Sequence, residues 1–226
     1  MNTLLSGVVG SSAYGLATED SDVDRLGMYA VNTVRLHGLH LPTMSQVTTD
    51  PDVTLHEAGK FVRLALGGNP TVTELMWLEG YETLTPLGEE LIGIRSAFLS
   101  ADRVRGAYLG YATQQFKKLE SRGDGTFGPD LAKRTAKHAR HMYRLLEQGL
   151  GLWCTGSLQI RVAHPVQVMS FGDRVAAGDV GAAYTLLGDY EDAFSGARTV
   201  LPDAPDEQAV ESWLLKVRAT FYTQPA

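Results

Sequence analysis

Apolar positions along this chain recur at a short period in the first third and at a helical period in the last two thirds. Residues 4–9, LLSGVV, are a compact apolar run that reads as a first strand. Residues 12–17 read as a short helix and residues 23–31 as a second strand. Residues 32–49 are polar, contain His37, His40 and Pro42, and read as loop with a short strand near Val47. The two histidines have no third ligand close by and read as surface residues. From Leu55 onward Leu55, Ala58, Val62, Ala65 and Leu66 recur at helical spacing, and Gly67, Gly68 and Pro70 supply the stop. The DVT just before this helix is a short extended piece. Beyond Gly80 helices are predicted over 86–98, 101–121 and 129–153, the last two joined by the glycine-rich SRGDGTFGP. A short strand SLQIRV, small helices and a terminal helix over 207–221 complete the chain.

This order predicts an α+β fold: a small mixed-sheet core in residues 1–80, followed by a mainly helical C-terminal region in 81–226. With nine residues ahead of Gly10, the first strand is expected at a sheet edge. A length of 226 residues with 44% hydrophobic content suffices for a proper core in one or two domains. No apolar run has the length of a membrane span, and the start lacks the basic residues and cleavage site of a secretory signal. The single cysteine, Cys154, has no partner for a disulfide or a zinc site. The expectation is a cytoplasmic protein with no membrane partner.

Charge adds a division that the hydrophobic pattern does not show. The formal net charge is −6, yet up to Gly59 seven acidic residues stand against Arg25 and Arg35 alone. Between Lys117 and Arg144 there are eight bases against Glu120, Asp124 and Asp130. An acidic part suited to metal and a basic part suited to phosphate follow from that split.

The chemistry concentrates in GSSAYGLATEDSDVDRLGMY, Gly10 to Tyr29. If Asp22 and Asp24 lie in a strand, both carboxylates leave one face about 7 Å apart. Hard oxygen ligands suit Mg²⁺, which takes one or two protein carboxylates and completes its shell with water and substrate phosphates. Gly10 allows close backbone approach, while Ser11 and Ser12 offer hydroxyls and N–H groups at a helix start, which favours a phosphate. SDVD alone would read as a turn in which Asp caps its own backbone. The apolar LLSGVV before it, GMYAV after it and the Gly-Ser pair favour a site.

The same residues carry a resemblance. Gly-Ser, a short helical segment, Ser-Asp-x-Asp and an aliphatic tail resemble the signature of the DNA polymerase beta-like nucleotidyltransferase superfamily. The fuller GSSAYGLATEDSDVDRLGMYAV is similar to its RNA-repair-associated branch. The likeness continues through DPDVTLHEAGKFVRLALGGNPTVTELMWLEG, with His56, Lys60, Gly68, Asn69, Pro70, Glu74 and Trp77, and into the C-terminal LPDAPDEQAVESWLLKVR. It implies a polymerase beta palm-like core and transfer of a nucleoside monophosphate from an NTP, with release of pyrophosphate. It implies two Mg²⁺ ions held by Asp22, Asp24 and a third carboxylate, a role given by resemblance to Asp52. Asp50 would share the face of Asp52, and either can be a turn residue beside Pro51. Gly10, Ser11 and Ser12 would bind the phosphates, with RNA, an end or a tRNA, as acceptor. A protein acceptor and a nucleotide-binding module without turnover are the alternatives.

Two basic groups extend the expected nucleotide site. His56, Lys60 and Arg63 share one face of the predicted helix, which reads either as an ordinary solvated face or as one that sets Lys60 near the triphosphate. In the 129–153 helix Thr135, Ala139, Met142, Leu146 and Leu150 form an apolar stripe, with Lys133, Lys137, Arg140 and Arg144 opposite and no acid at their i+4 positions. The row reads either as a solvated face or as one that a triphosphate or an RNA backbone would satisfy. By resemblance His141 and Arg144, with Lys137, are expected to bind nucleotide.

Overall fold

The computed structural model describes residues 2–19, 21–120 and 129–222. Most of the SRGDGTFGP turn lies outside the described residues. The chain forms two compact units, Met1–Leu99 with Ala204–Ala226, and Ser100–Asp203.

The first unit is built on a five-stranded mixed sheet in the order β3-β4-β2-β1-β5. The strands are β1 (Asn2–Val8), β2 (Arg25–Ala30), β3 (Ser45–Thr49), β4 (Asp52–Glu57) and β5 (Thr83–Leu84). β1 is therefore an inner strand, antiparallel to both β2 and β5, and not an edge as expected. β4 runs parallel to β2 and antiparallel to β3. Its ladders on both sides hold Leu55, His56 and Glu57 in the strand, so the following helix begins at Ala58 and not at Leu55. The short strand expected near Val47 is β3, where Ser45–Thr49 pairs with β4.

The helices of this unit are short. α1 (Gly10–Tyr14) follows β1, and α2 (Ala58–Leu66) is capped by the Glu57 carboxylate, which accepts from Gly59 N at 2.8 Å. α3 (Pro70–Thr73) is capped by Asn69, and α4 (Pro86–Gly93) by Thr85. The helix expected over 86–98 breaks after Gly93, and Arg95–Phe98 forms a 3-10 turn. α9 (Glu207–Thr220) returns to this unit, its Trp213 indole donating to Leu87 O at 2.9 Å. Leu4, Leu5, Met28, Phe61, Leu75 and Leu91 are buried in its core.

The second unit is helical: α5 (Ala101–Glu120), α6 (Pro129–Thr155), α7 (Pro165–Ala176) and α8 (Val180–Gly196). α5 and α6 pack closely at Gly149, where a Cβ would come within 2.6 Å of the Tyr108 side chain. SLQIRV is not a strand. The Gln148 side-chain amide donates to the carbonyls of Gln159 and Ile160 at 3.0 and 2.9 Å, which satisfies backbone that would otherwise need a ladder. Among the described residues no helix is long and apolar enough to cross a membrane.

Candidate active site

The junction between β1 and β2 positions the first carboxylate. Val9 N donates to Asp24 O at 2.9 Å, so the entry to α1 is bonded to the residue just ahead of β2. Gly10 then turns with φ of 69°, a left-handed conformation that favours glycine. A Cβ there would lie 2.1 Å from Asp24 Oδ2, so only a residue without a side chain lets that carboxylate lie against the turn. Ser11 and Ser12 follow, half-buried, in a helix of five residues. The Tyr14 hydroxyl donates to buried Glu74 Oε2 at 2.7 Å, which ties this helix to the 3-10 turn Glu74–Trp77.

Asp22 and Asp24 lie ahead of β2 and not inside it, because the strand begins at Arg25. Asp22 is exposed and Asp24 half-buried. In the parallel ladder Arg25 is opposite Val53, so one step toward the N-terminus aligns Asp24 with Asp52, the first residue of β4. Thr49 pairs with Asp52, which leaves Asp50 and Pro51 as the hairpin turn, held by the Thr48 hydroxyl donating to Pro51 O at 2.7 Å. Beside Asp24, Arg25 Nε bonds Glu82 at 2.9 and 3.1 Å. That guanidinium is committed to an acid of its own.

Lys60 lies elsewhere. Its Nζ donates to Ser45 Oγ at 2.7 Å, and Ser45 Oγ is 2.7 Å from His56 Nδ1. An ammonium can only donate, so Ser45 Oγ accepts from Lys60, while the direction of its bond with His56 Nδ1 follows the imidazole tautomer. Burial, and then the Lys60 charge, push the His56 pKa below its ordinary value. Four strand residues, about 13 Å, separate His56 from Asp52. Ser45 escapes notice in the sequence because its signal, a β3 period of two, covers only five residues.

The remaining candidates are in the helical unit, and the basic row is not continuous there. Lys137 is exposed. Arg140 pairs with Asp173 of α7 at 2.6 Å, so the row, which has no acid at i+4 within its own helix, receives one from a helix 33 residues away. Arg144 is 2% exposed, with Nη1 donating to Gln148 Oε1 at 2.5 Å and Nη2 3.2 Å from His141 Nδ1. Burial, followed by the charges of Arg144, His138, Lys118 and Lys137, pushes the His141 pKa down to about 3. Its imidazole is neutral at ordinary pH.

Among the described residues no three of His, Cys, Asp and Glu gather into a metal cage. The donor chemistry at Asp22, Asp24 and Asp52 fits a hard cation whose shell is completed by water and phosphate oxygens. It does not fit a closed structural site of the zinc kind.

No curated protein matches the chain. Among solved structures, a nucleotidyltransferase-like protein from Exiguobacterium sibiricum 255-15 is 11% identical, covering 97% of this chain and 74% of its own, with a TM-score of 0.33. Residues 1–165 match the RNA repair pathway DNA polymerase beta family, a match that contains Gly10, Ser11, Asp22, Asp24 and Asp52. The chain belongs to that family, and its activity is of the nucleotidyltransferase type.

Proposed function

We propose that the protein transfers a nucleoside monophosphate from an NTP to a hydroxyl of RNA, and that the sheet-bearing unit is its catalytic domain. The observation that carries this reading is the fit of Gly10 against Asp24, beside the strand position of Asp52. One turn and two strand starts thereby supply a phosphate contact and carboxylates together. The RNA acceptor rests on the family's description as part of an RNA repair pathway.

In this reading Asp22, Asp24 and Asp52 hold Mg²⁺, and Gly10, Ser11 and Ser12 receive the β and γ phosphates. Two bound Mg²⁺ ions would supply charge neutralisation at the α-phosphate and at the departing pyrophosphate. The acceptor hydroxyl oxygen bonds to the α-phosphorus, the bond from that phosphorus to the β-phosphate bridging oxygen breaks, and Asp52 takes the hydroxyl proton. Positioning supplies most of the acceleration. Lys60, His141 and Arg144 are left out of the contact set, since Ser45, burial and Gln148 engage them. Exposed Lys137, with Arg134, suits an RNA phosphate.

The test is transfer of label from each α-labelled NTP with Mg²⁺ into a mixture of RNA and protein, comparing the native chain with Asp24→Asn. Label in RNA with the native chain alone is expected. Label in protein would move the acceptor, and no label above the variant would overturn catalysis in favour of a nucleotide-binding module.

A further inference from the structure

The seven acids of the first 59 residues fall in two short stretches, 19–24 and 50–57. Residues 26–49 between them contain Arg35, His37 and His40 and no Asp or Glu. Residues 58–73 contain Lys60 and Arg63 and no Asp or Glu, and the same holds for 212–226, with Lys216 and Arg218. Totals over longer stretches hide these three acid-free segments, and the sheet-bearing unit folds them together.

Thr33 N donates to Phe221 O at 3.0 Å and the Thr33 hydroxyl to Arg218 O at 2.7 Å, which sets the 3-10 turn Thr33–His37 against the end of α9. Arg218 bonds Glu57, and a Cβ at Gly59 would stand 2.6 Å from Arg218 Nη2 and 3.5 Å from Arg63 Nη1. The two guanidinium groups are therefore neighbours over the first turn of α2. Lys60 Nζ reaches Ser45 Oγ on β3, so the cations extend from α9 across α2 to the edge strand.

Glu57 is the one acid in these contacts, and it is buried and engaged by Arg218 and by the N–H groups of Gly59 and Lys60. Lys216 is paired with Glu90 and adds nothing to the excess. Arg35 and Arg63 are exposed and have no acidic partner among the described residues. Neighbouring cations around one carboxylate leave a net positive charge that an anion offsets.

Position says what kind of anion. Asp24 and Asp52 stand at the starts of β2 and β4, whereas Glu57 ends β4 and the 3-10 turn follows the end of β2. Five strand residues, about 16 Å, separate Asp52 from Glu57. That distance suits a chain of phosphates rather than the triphosphate that the proposed reading places at Gly10.

We propose that this face binds the phosphate backbone of the RNA acceptor, away from the hydroxyl that reacts. Arg35 and Arg63 meet the phosphates, and Lys60 and Arg218 add charge behind them. The inference rests on the RNA acceptor of the reading above. The basic stretch between Lys117 and Arg144 belongs almost wholly to the other unit, so the charge split along the sequence does not reveal this face.

The test is fluorescence anisotropy of an end-labelled single-stranded RNA titrated with the full chain at stepped KCl, without NTP. The comparison is the double variant Arg35→Gln with Arg63→Gln, both at exposed positions; Arg218 stays native because it holds Glu57. Affinity weakened about tenfold or more is expected, with the slope of log affinity against log salt reduced by about 1.4. RNA binding that the double variant leaves within about twofold would overturn the face while leaving the RNA acceptor standing. Polyglutamate that displaces the label as well as unlabelled RNA does would overturn RNA as the occupant. No RNA binding by the native chain would also overturn the face, and the label assay then judges the acceptor by itself.

Discussion

Gly10 and Asp24 occupy neighbouring space that no side chain at position 10 could share, since a Cβ there would stand 2.1 Å from Asp24 Oδ2. The bond from Val9 N to Asp24 O ties the residue before Gly10 to Asp24 through the backbone. The glycine of this turn is thus required by the carboxylate as much as by its φ of 69°. Gly10→Ala is expected to cost about 1–3 kcal/mol in strain. It also displaces the carboxylate, so transfer activity should fall further than the loss of folded protein explains. Urea unfolding beside the label assay measures both, and native-like transfer in a folded Gly10→Ala would refute the coupling.

The strand register separates two aspartates that the sequence leaves equivalent. Asp52 aligns with Asp24, whereas Asp50 occupies the hairpin turn. Asp24→Asn and Asp52→Asn should each remove several kcal/mol of transition-state stabilisation, a loss of about 100-fold or more in transfer. Asp50→Asn should retain activity near the native level, and EDTA should abolish transfer in every case. Equal losses at positions 50 and 52 would discard the assignment.

The ion pair of Glu57 and Arg218 joins the end of β4 to α9. The Glu57 side chain is 1% exposed and that of Arg218 18%. Arg218→Met leaves a buried carboxylate uncompensated and should destabilise the fold by about 3–5 kcal/mol. Adding Glu57→Gln should recover part of this. A denaturant series on the single and double variants reads the difference, and a single variant as stable as the native chain would disprove it.

His141 predicts acid sensitivity in the helical unit. Its folded pKa, pushed down to about 3, is below the ordinary 6.5, so the unfolded chain binds the proton first. The stability it contributes is complete above about pH 6.5 and is lost as pH falls toward 3. The slope in that window is about 1.4 kcal/mol per pH unit. His141→Gln should flatten this part of the stability profile, monitored by unfolding at stepped pH. An unchanged profile would contradict a buried, neutral imidazole.

The amino-acid sequence by itself determined the mixed α and β character, the long helices, and the Gly-Ser and Asp-x-Asp residues that mark the family. Those signals are local: apolar period, glycine at a turn, and residue type at fixed spacing. It did not determine that β1 is an inner strand, that Leu55 to Glu57 stay extended, or that Asp24 aligns with Asp52, because strand pairing depends on residues far apart in the chain. Helical spacing correctly set Arg140 and Arg144 away from the main stripe of α6. Only packing decided that Arg140 meets Asp173 and that Arg144 is buried beside Gln148. A helix face is solvent or interior according to what tertiary structure brings against it, and no i+4 count contains the partner that comes from another helix.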